Sequence, residues 1–269
     1  MKTSYRVNLT EEKETLLITL QAKALDSRSK RTILNDQKAD KIVQMIDYDF
    51  EKIKRFGNEI MVLRAKQLDV WLQEFLEGNQ SAIVLNLGCG LDTRVSRIGV
   101  PPNVLWFDVD YPDVIELRKH FFSPEVGYEM LSSAVTEFRW LEHVPRDRPV
   151  MVVAEGLLEY LTEDEVRMLL NQLTNYFPSG RIAFDVMNAF AIKSGKEQLK
   201  ETTGAVHKWI VRDLGDVDKL DMKLHRISSM AVFTSKYVNK LPLKVRLMYG
   251  ALSLIPSFRN MLRVLLYEF

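Results

Sequence analysis

The sequence predicts an α/β protein with a mostly parallel central sheet and helices on both faces. Four short apolar runs, at 82–87, 104–109, 150–154 and 181–186, are spaced as alternating strands and helices require, and a weaker fifth lies around 128–135. Nearly continuous apolar runs are typical of parallel strands that are covered on both faces. The chain of 269 residues, 46% of them hydrophobic, is long enough to bury one large core.

The first 80 residues predict a helical cover beside this sheet. Apolar side chains recur there at helical spacing in three segments, and Gly78 is a natural end for the last of them. The segments are 10–25, with Thr10 as the candidate N-cap, 36–54 and 59–78.

The rest of the chain divides at about residue 187. Residues 81–187 contain the strands, and Thr162 and Glu165 form the pattern of a capping box that begins a helix between the last two. Residues 188–269 mix helical patterns with basic stretches and end in VLLYEF, which predicts a late strand. We expect a single domain over residues 1–269.

Composition argues against several classes of partner. The net charge is +1, from 37 basic and 36 acidic residues, which gives no reason to expect nucleic acid. One cysteine and four widely spaced histidines lack the spacing of metal ligands, so no metal site is predicted. The N-terminus lacks the apolar stretch of a signal peptide, and no run is long enough to span a membrane. We therefore expect a cytoplasmic protein without an integral membrane segment.

The segment 236–263 carries six basic residues and no acidic one. It would suit a helix that lies on a membrane or on a partner. It would equally suit a helix pair that packs on the sheet with its lysines turned outward. Pro242 and Pro256 interrupt any long amphipathic helix, which favours the second interpretation.

A glycine turn follows the first strand, in VLNLGCGLDTR at 84–94. A Gly-x-Gly turn between a strand and a helix is a ligand site in open α/β sheets. A phosphate-binding Walker loop would need G-x-x-x-x-G-K-[ST], which is absent, and a dinucleotide site would need a third glycine where Thr93 stands. S-adenosylmethionine has no phosphate and needs only the backbone room that Gly88 and Gly90 provide.

A carboxylate pair follows the second strand. Asp108 and Asp110 lie 20 and 22 residues beyond Gly88, the spacing expected of a residue that accepts hydrogen bonds from ribose hydroxyls. Both lie on the same face of the strand, so one can bind ribose while the other supports it. A tight turn that binds no ligand is the alternative.

Three motifs, GCGLDTR, FDVDYP and AEGLLEYL, resemble the leucine carboxyl methyltransferase-like family, including its bacterial polyketide O-methyltransferases of the tetracenomycin type. The resemblance covers most of residues 27–187. It implies a Rossmann-like class I methyltransferase that uses S-adenosylmethionine. It also implies an N-terminal helical cover at 1–80, a cofactor-binding core at 81–187 and a C-terminal substrate lid at 188–269.

The resemblance also implies roles for individual residues. Lys30, in Ser29-Lys30-Arg31, and Arg64 would approach the methionine carboxylate of the cofactor, and Glu155 would approach its amino group. Tyr160 would lie near the transferred methyl group. Many members bind adenine with an Asp-Leu pair, but Ala134 stands where that aspartate is expected, so backbone groups or Thr136 would take its place. The remaining cofactor contacts are implied for Gly88, Cys89, Gly90, Asp110, Tyr111 and Val135.

Candidate catalytic groups depend on the acceptor. A phenolic hydroxyl benefits from a general base, for which His207 is the candidate, whereas a carboxylate is already ionised and needs only orientation. Lys208 and Arg212 are candidates for that orientation. Cys89 has no histidine beside it in the sequence, so we interpret it as a small residue between two glycines and not as a nucleophile.

The predicted function is S-adenosylmethionine-dependent O-methylation of a hydroxyl or carboxyl group on a small molecule, such as a secondary metabolite. Three alternatives stay open. The first is a methyltransferase for a protein C-terminal carboxyl group, and the second is a non-catalytic S-adenosylmethionine-binding module. The third is a nicotinamide oxidoreductase, which Thr93 opposes.

Overall fold

The computed structural model describes residues 4–53 and 57–269. Two short strands, β1 (Tyr5–Arg6) and β2 (Ile46–Asp47), pair with each other. The other strands are β3 (Ala82–Leu87), β4 (Val104–Asp110), β5 (Tyr128–Ser132), β6 (Val150–Ala154), β7 (Gly180–Met187), β8 (His225–Ala231) and β9 (Leu262–Glu268). They form one seven-stranded sheet in the order β5-β4-β3-β6-β7-β9-β8.

Helices flank this sheet. They are α1 (Leu16–Ser27), α2 (Gln37–Val43), α3 (Asn58–Gly78), α4 (Arg94–Ile98), α5 (Pro112–Lys119), α6 (Glu163–Tyr176), α7 (Ala189–Thr203), α8 (Leu214–Asp218), α9 (Leu243–Leu252) and α10 (Pro256–Arg259). Short 3-10 helices lie at Glu11–Thr15, Phe50–Ile53, Phe138–His143, Leu158–Tyr160, Val232–Thr234 and Lys236–Lys240. No helix among the described residues is long and apolar enough to cross a membrane.

The mostly parallel sheet is confirmed. Strands β3 to β7 pair in parallel, and only β9, which lies between β7 and β8, runs antiparallel to its neighbours. The strand order reverses at β3, which has β4 on one side and β6 on the other. Ligands of open α/β sheets bind at this switch point, beyond the carboxyl ends of the strands.

Both faces of the sheet are buried, as continuous apolar strands require. On one face, Val84 and Trp106 pack in a cluster with the N-terminal helices, including Leu68 of α3. On the other face, Leu85 and Phe184 pack in a cluster with α6. The capping box of α6 is present, with Thr162 and Glu165 bonded to each other's backbone N–H groups.

Three local predictions differ from the structure. The segment 10–25 begins as a 3-10 helix, and the Thr10 side chain makes no capping bond. The segment 36–54 is α-helical only over Gln37–Val43, because residues 46–47 pair with β1, and it resumes as a short 3-10 helix at Phe50–Ile53; Lys54 lies outside the described residues. Strand β8 was not predicted, since it lies at the edge of the sheet and its first three residues are exposed.

Candidate functional site

A cleft opens at the carboxyl edge of the sheet, where β3, β4 and β6 end. The turns after these strands form its floor, and the 3-10 helix 11–15 with the start of α1 forms one wall. Among the sequence-predicted residues, the cleft is lined by Gly88, Cys89, Gly90, Asp110, Tyr111, Ala134, Val135, Glu155 and Tyr160.

The glycine turn needs glycine for two structural reasons. Gly88 and Gly90 have φ angles of +60° and +48°, a region that side-chain-bearing residues rarely adopt. A Cβ atom on Gly88 would lie 2.8 Å from Leu157, and one on Gly90 would lie 3.0 Å from Leu16. Both leucines line the cleft, so the missing side chains allow its walls to close on the turn.

A buried arginine fixes the position of this turn. The Arg118 guanidinium donates to the carbonyl oxygens of Gly90 at 3.0 Å and Asp92 at 2.7 Å. It also pairs with Asp108, whose carboxylate accepts from the Tyr128 hydroxyl at 2.6 Å. Asp108 therefore supports the turn from below, while Asp110 faces the cleft.

The Asp110 carboxylate links the glycine turn to the end of β4. It accepts from the backbone N–H groups of Gly90 and Tyr111, both at 2.7 Å. Burial raises the pKa of Asp110 to about 6, although these two backbone N–H groups and Arg118 act to lower it. Each carboxylate oxygen has a further acceptor site, so the group can receive two neighbouring hydroxyls, as in a ribose.

The wall beyond Asp110 consists of the turn after β5. Ser133 donates its backbone N–H to the Asp110 carbonyl at 2.9 Å, and its hydroxyl donates to the Ala134 carbonyl. Val135 and Thr136 complete the lining. A flat ligand would therefore meet the backbone, the Val135 side chain and the Thr136 side chain here, and no carboxylate at Ala134.

The opposite end of the cleft is strongly charged. Lys23 of α1 lies 2.7 Å from Asp92 and 3.6 Å from Glu155. Arg94 lies 2.5 Å from each of these carboxylates. Burial alone would raise the pKa of Glu155, but Lys23, Arg94 and Arg64 outweigh burial and lower it to about 2. Glu155 is therefore ionised over the whole physiological pH range.

One oxygen of Glu155 has unused capacity. Its Oε2 atom accepts from Arg94, whereas no group among residues 4–53 and 57–269 donates a hydrogen bond to its buried Oε1 atom. A buried acceptor without a donor is costly. Because Glu155 lines the cleft, a ligand that donates a cationic N–H would satisfy this oxygen.

A second layer of ion pairs lies behind this charged end. Arg64 lies 2.8 Å from Asp185 and 3.4 Å from Glu155. It does not line the cleft, because Gly156 stands in front of it: a Cβ on Gly156 would lie 3.0 Å from the guanidinium. Arg64 thus supports Glu155 in this structure and does not reach a ligand directly.

Thr93 connects the glycine turn to the N-terminal cover. Its buried hydroxyl donates to Asp36, the residue that caps α2. Arg97 joins the same group, at 2.7 Å from Asp36 and 2.9 Å from Asp69. Thr93, which stands where a dinucleotide site would need a glycine, therefore anchors α2 over the turn.

Tyr160 and His207, the two predicted catalytic residues, pack against each other with their ring centroids 5.3 Å apart. Tyr160 lines the cleft, and His207 is not among the residues that line it. Burial lowers the pKa of His207, so its imidazole is neutral at pH 7. Lys208 also lines the cleft, whereas Arg212 lies in a separate depression with Trp209.

The structure does not bring Lys30 to the cleft. Lys30 is exposed and lies in another crevice, beside Pro242 and Leu243. Lys23, seven residues earlier, is the lysine in the cleft, and no pattern in the sequence singled it out. Cys89 lines the cleft, but burial raises the pKa of its thiol well above the usual range, which disfavours a nucleophilic thiolate.

The strand order, the cleft at the switch point and the carboxylate at the end of the second core strand define a Rossmann-like class I methyltransferase fold. A solved structure, a candidate methyltransferase from Thermobifida fusca YX, has the same fold, with a TM-score of 0.59 and 16% identity. The match covers 91% of this chain and 93% of that one.

Two relatives are more similar in sequence. Over 206 residues the chain is 43% identical to the tetracenomycin polyketide synthesis O-methyltransferase TcmP of Streptomyces glaucescens, covering 76% of each chain. It is 39% identical over 201 residues to the S-adenosyl-L-methionine-dependent methyltransferase dpfgK of Gibberella zeae, covering 67% of each chain.

The family model of the leucine carboxyl methyltransferases matches residues 16–174. The chain therefore belongs to the leucine carboxyl methyltransferase family. It is an S-adenosylmethionine-dependent methyltransferase, and S-adenosylmethionine is its cofactor, as the sequence predicted.

Proposed function

We propose that this enzyme transfers a methyl group to a hydroxyl or carboxyl oxygen of a small molecule, of polyketide or similar type. The observation that carries this proposal is the lining of the cleft, in which Tyr160 and Lys208 lie alongside Asp110 and Glu155 at the switch point of the sheet. Small-molecule sites combine apolar and aromatic side chains with a few polar groups in this way. The similarity to TcmP, which is named for polyketide synthesis, supports the same acceptor class.

The charged end of the cleft fits the methionine part of the cofactor. The Oε1 atom of Glu155 would accept from the ammonium group, and Lys23 would donate to the carboxylate. Asp110 would accept from the ribose hydroxyls, with Gly88, Cys89, Gly90 and Tyr111 around it. Ala134, Val135 and Thr136 would contact adenine.

The acceptor would bind next to the methionine site, beside Tyr160. There the cleft is bordered by Thr15 in the 3-10 helix, by Tyr160, and by Glu165 with Lys208. When bound, S-adenosylmethionine supplies an electrophilic methyl group on sulfur. The 3-10 helix and Tyr160 would exclude water from this region and hold the acceptor oxygen in line with the methyl group. Most of the acceleration in such displacements comes from this positioning.

The chain also offers a group for each kind of acceptor. The neutral imidazole of His207 can accept the proton of a phenolic hydroxyl. A carboxylate needs no base at pH 7, and the Lys208 ammonium would hold it by charge. His207→Ala therefore distinguishes the two kinds of acceptor. It should lower kcat strongly for a phenol and little for a carboxylic acid.

Two measurements test the proposal. Calorimetric titration should show saturable binding of S-adenosylmethionine and S-adenosylhomocysteine and none of NAD. A screen with methyl-labelled cofactor should then compare phenols, aromatic carboxylic acids and a peptide that ends in leucine. Transfer to the peptide alone would replace our proposal with a protein carboxyl methyltransferase, and cofactor binding without transfer to any acceptor would favour a non-catalytic module.

A further inference from the structure

Helix α9 carries apolar side chains on two opposite faces. The inner face, with Val245 and Tyr249, packs on the protein. Tyr249 is buried, and its ring meets that of Phe233 edge-on, with centroids 4.9 Å apart. This face accounts fully for how α9 attaches to the fold.

The outer face of α9 is apolar as well, but exposed. Leu243 and Leu247 are 64% and 66% exposed, and Leu254, at the same helical spacing just beyond α9, is 82% exposed. Met248 and Ile255 extend the surface. Single exposed apolar residues are ordinary, but a continuous group marks an interaction site. We call these five residues the α9 apolar surface.

Basic residues surround the α9 apolar surface. At 100° per residue, Lys244 and Arg246 lie on its two flanks. From Lys236 to Arg263 there are six basic residues and no acidic one, so the rest of the chain has 31 basic and 36 acidic residues. Within the described part of the chain, none of these six forms a salt bridge. The positive charge is therefore concentrated in this segment, where Lys240, Arg246 and Arg263 donate only to neutral oxygens.

The crevice beside Pro242 and Leu243, in which Lys30 lies, brings further charges close to α9. Lys30 and Arg31, both exposed, line it together with Leu243. Two carboxylates are also present. Asp26 accepts three backbone N–H groups, from Ile33 to Asn35, and Glu59 lines the crevice as well. Lys30, which does not reach the cofactor cleft, thus extends the basic rim of this surface.

We propose that the α9 apolar surface docks on a lipid bilayer that contains anionic headgroups. An exposed apolar stripe with basic residues on both flanks is the pattern of helices that lie in the membrane interface. The leucines would enter the headgroup boundary, while Lys244, Arg246 and Lys30 meet the anionic lipids. A protein partner would need a groove that receives a protruding helix. The basic residues on this surface do not form the fixed pattern that recognition of one particular acidic protein would require.

The surface is separate from the cofactor cleft, which makes the proposal independent of methyl transfer. Pro256 to Arg259 pack beside the end of β7, where Asn188 donates its side-chain amide to the Ser257 carbonyl at 2.9 Å. None of the five residues of the α9 apolar surface lines the cofactor cleft. Variants of this surface should therefore retain cofactor binding, which serves as a control for folding.

Vesicle flotation of the full chain tests the proposal. We expect the protein to float with vesicles of phosphatidylcholine and phosphatidylglycerol at low salt, and not with phosphatidylcholine alone. Leu247→Ser/Leu254→Ser should weaken this binding by about tenfold or more, because it removes two inserted side chains. Lys244→Gln should weaken it by roughly fivefold, as one lost cation predicts. The matched control is Val126→Ser/Met222→Ser, which changes two exposed apolar residues elsewhere.

Several outcomes would overturn the proposal. These are no flotation with the anionic vesicles, equal flotation with the neutral ones, or a double leucine variant that floats like the wild type while still binding S-adenosylhomocysteine. Light scattering should show the same mass for wild type and leucine variant. A dimer that the leucine variant dissociates would assign the surface to a second copy of this chain instead.

Discussion

The backbone N–H of Gly90 donates to the Oδ2 atom of Asp110 at 2.7 Å, which joins the glycine turn after β3 to the end of β4. The same carboxylate lines the cleft, so one group both braces the turn and, as we propose, receives the ribose hydroxyls. These two tasks favour the ionised form, whereas burial favours the protonated form and raises the pKa of Asp110 to about 6.

The first prediction concerns the pH dependence of cofactor binding. Asp110 is ionised above its pKa, so affinity for S-adenosylhomocysteine should be constant above about pH 7 and fall as the pH drops through 6. Below the pKa the loss should approach tenfold per pH unit, because each unit lowers the ionised fraction tenfold. Calorimetry from pH 5 to 8 measures this. Asp110→Asn should bind weakly with a flat profile, and a flat wild-type profile would contradict the role of Asp110.

The second prediction tests the Glu155 oxygen, Oε1, to which no described residue donates a hydrogen bond. Glu155→Gln should reduce affinity for S-adenosylhomocysteine by about 10- to 100-fold, since a hydrogen bond to a charged group contributes about 1.5–3 kcal/mol. The fold should survive, because Arg94 keeps Asp69 at 2.7 Å and Asp92 at 2.5 Å. Glu165→Gln is the matched control, as Glu165 lines the acceptor end of the same cleft. Equal losses in both variants would remove Glu155 from the methionine site.

The strands and the glycine turn were predictable because local pattern determines them. A parallel strand that is buried on both faces is apolar throughout, and Ala82–Leu87 shows this directly. Strand β8 was not predicted, because it is an edge strand whose exposed residues, such as His225 and Arg226, break the apolar pattern.

Most of the charged site depends on contacts between distant segments. Lys23 occupies a helix whose apolar spacing gives it no special place, and it is buried only because Asp92, 69 residues away, pairs with it. Asp92 and Arg94 belong to the motif that carries the family resemblance, yet the pairing of Arg94 with both Asp92 and Glu155 becomes visible only in the folded chain.

The third prediction concerns the glycine turn. Gly90→Ala should lower the free energy of unfolding by about 1–3 kcal/mol, because its φ of +48° strains an alanine and the new Cβ meets Leu16 at 3.0 Å. Urea denaturation measures the change. Gly195→Ala in α7 is the control: it has open space, and should stabilise the protein by up to about 1 kcal/mol. Equal stability of Gly90→Ala and wild type would show that the turn tolerates a side chain.

Glu159 adds a buried carboxyl group that the proposed chemistry does not use. It is 4% exposed, and no group in the described part of the chain bonds its Oε2 atom. Burial raises the pKa of Glu159 to about 8, with Asp185 adding to the rise and Arg64 opposing it. The side chain is therefore protonated in the folded protein at neutral pH and ionised in the unfolded chain.

The fourth prediction follows from this difference. Between about pH 4.5 and 8 the folded state holds a proton that the unfolded state has lost, so stability should fall as the pH rises, by about 1.4 kcal/mol per pH unit from this group. Glu159→Gln stays neutral, so its free energy of unfolding should rise relative to that of the wild type as the pH increases over this range. Urea denaturation at pH 5, 6.5 and 8 measures the difference. Glu77→Gln, at an exposed position on α3, should follow the wild-type curve. Parallel curves for Glu159→Gln and wild type would mean that Glu159 titrates alike in both states, with Arg64 compensating its burial.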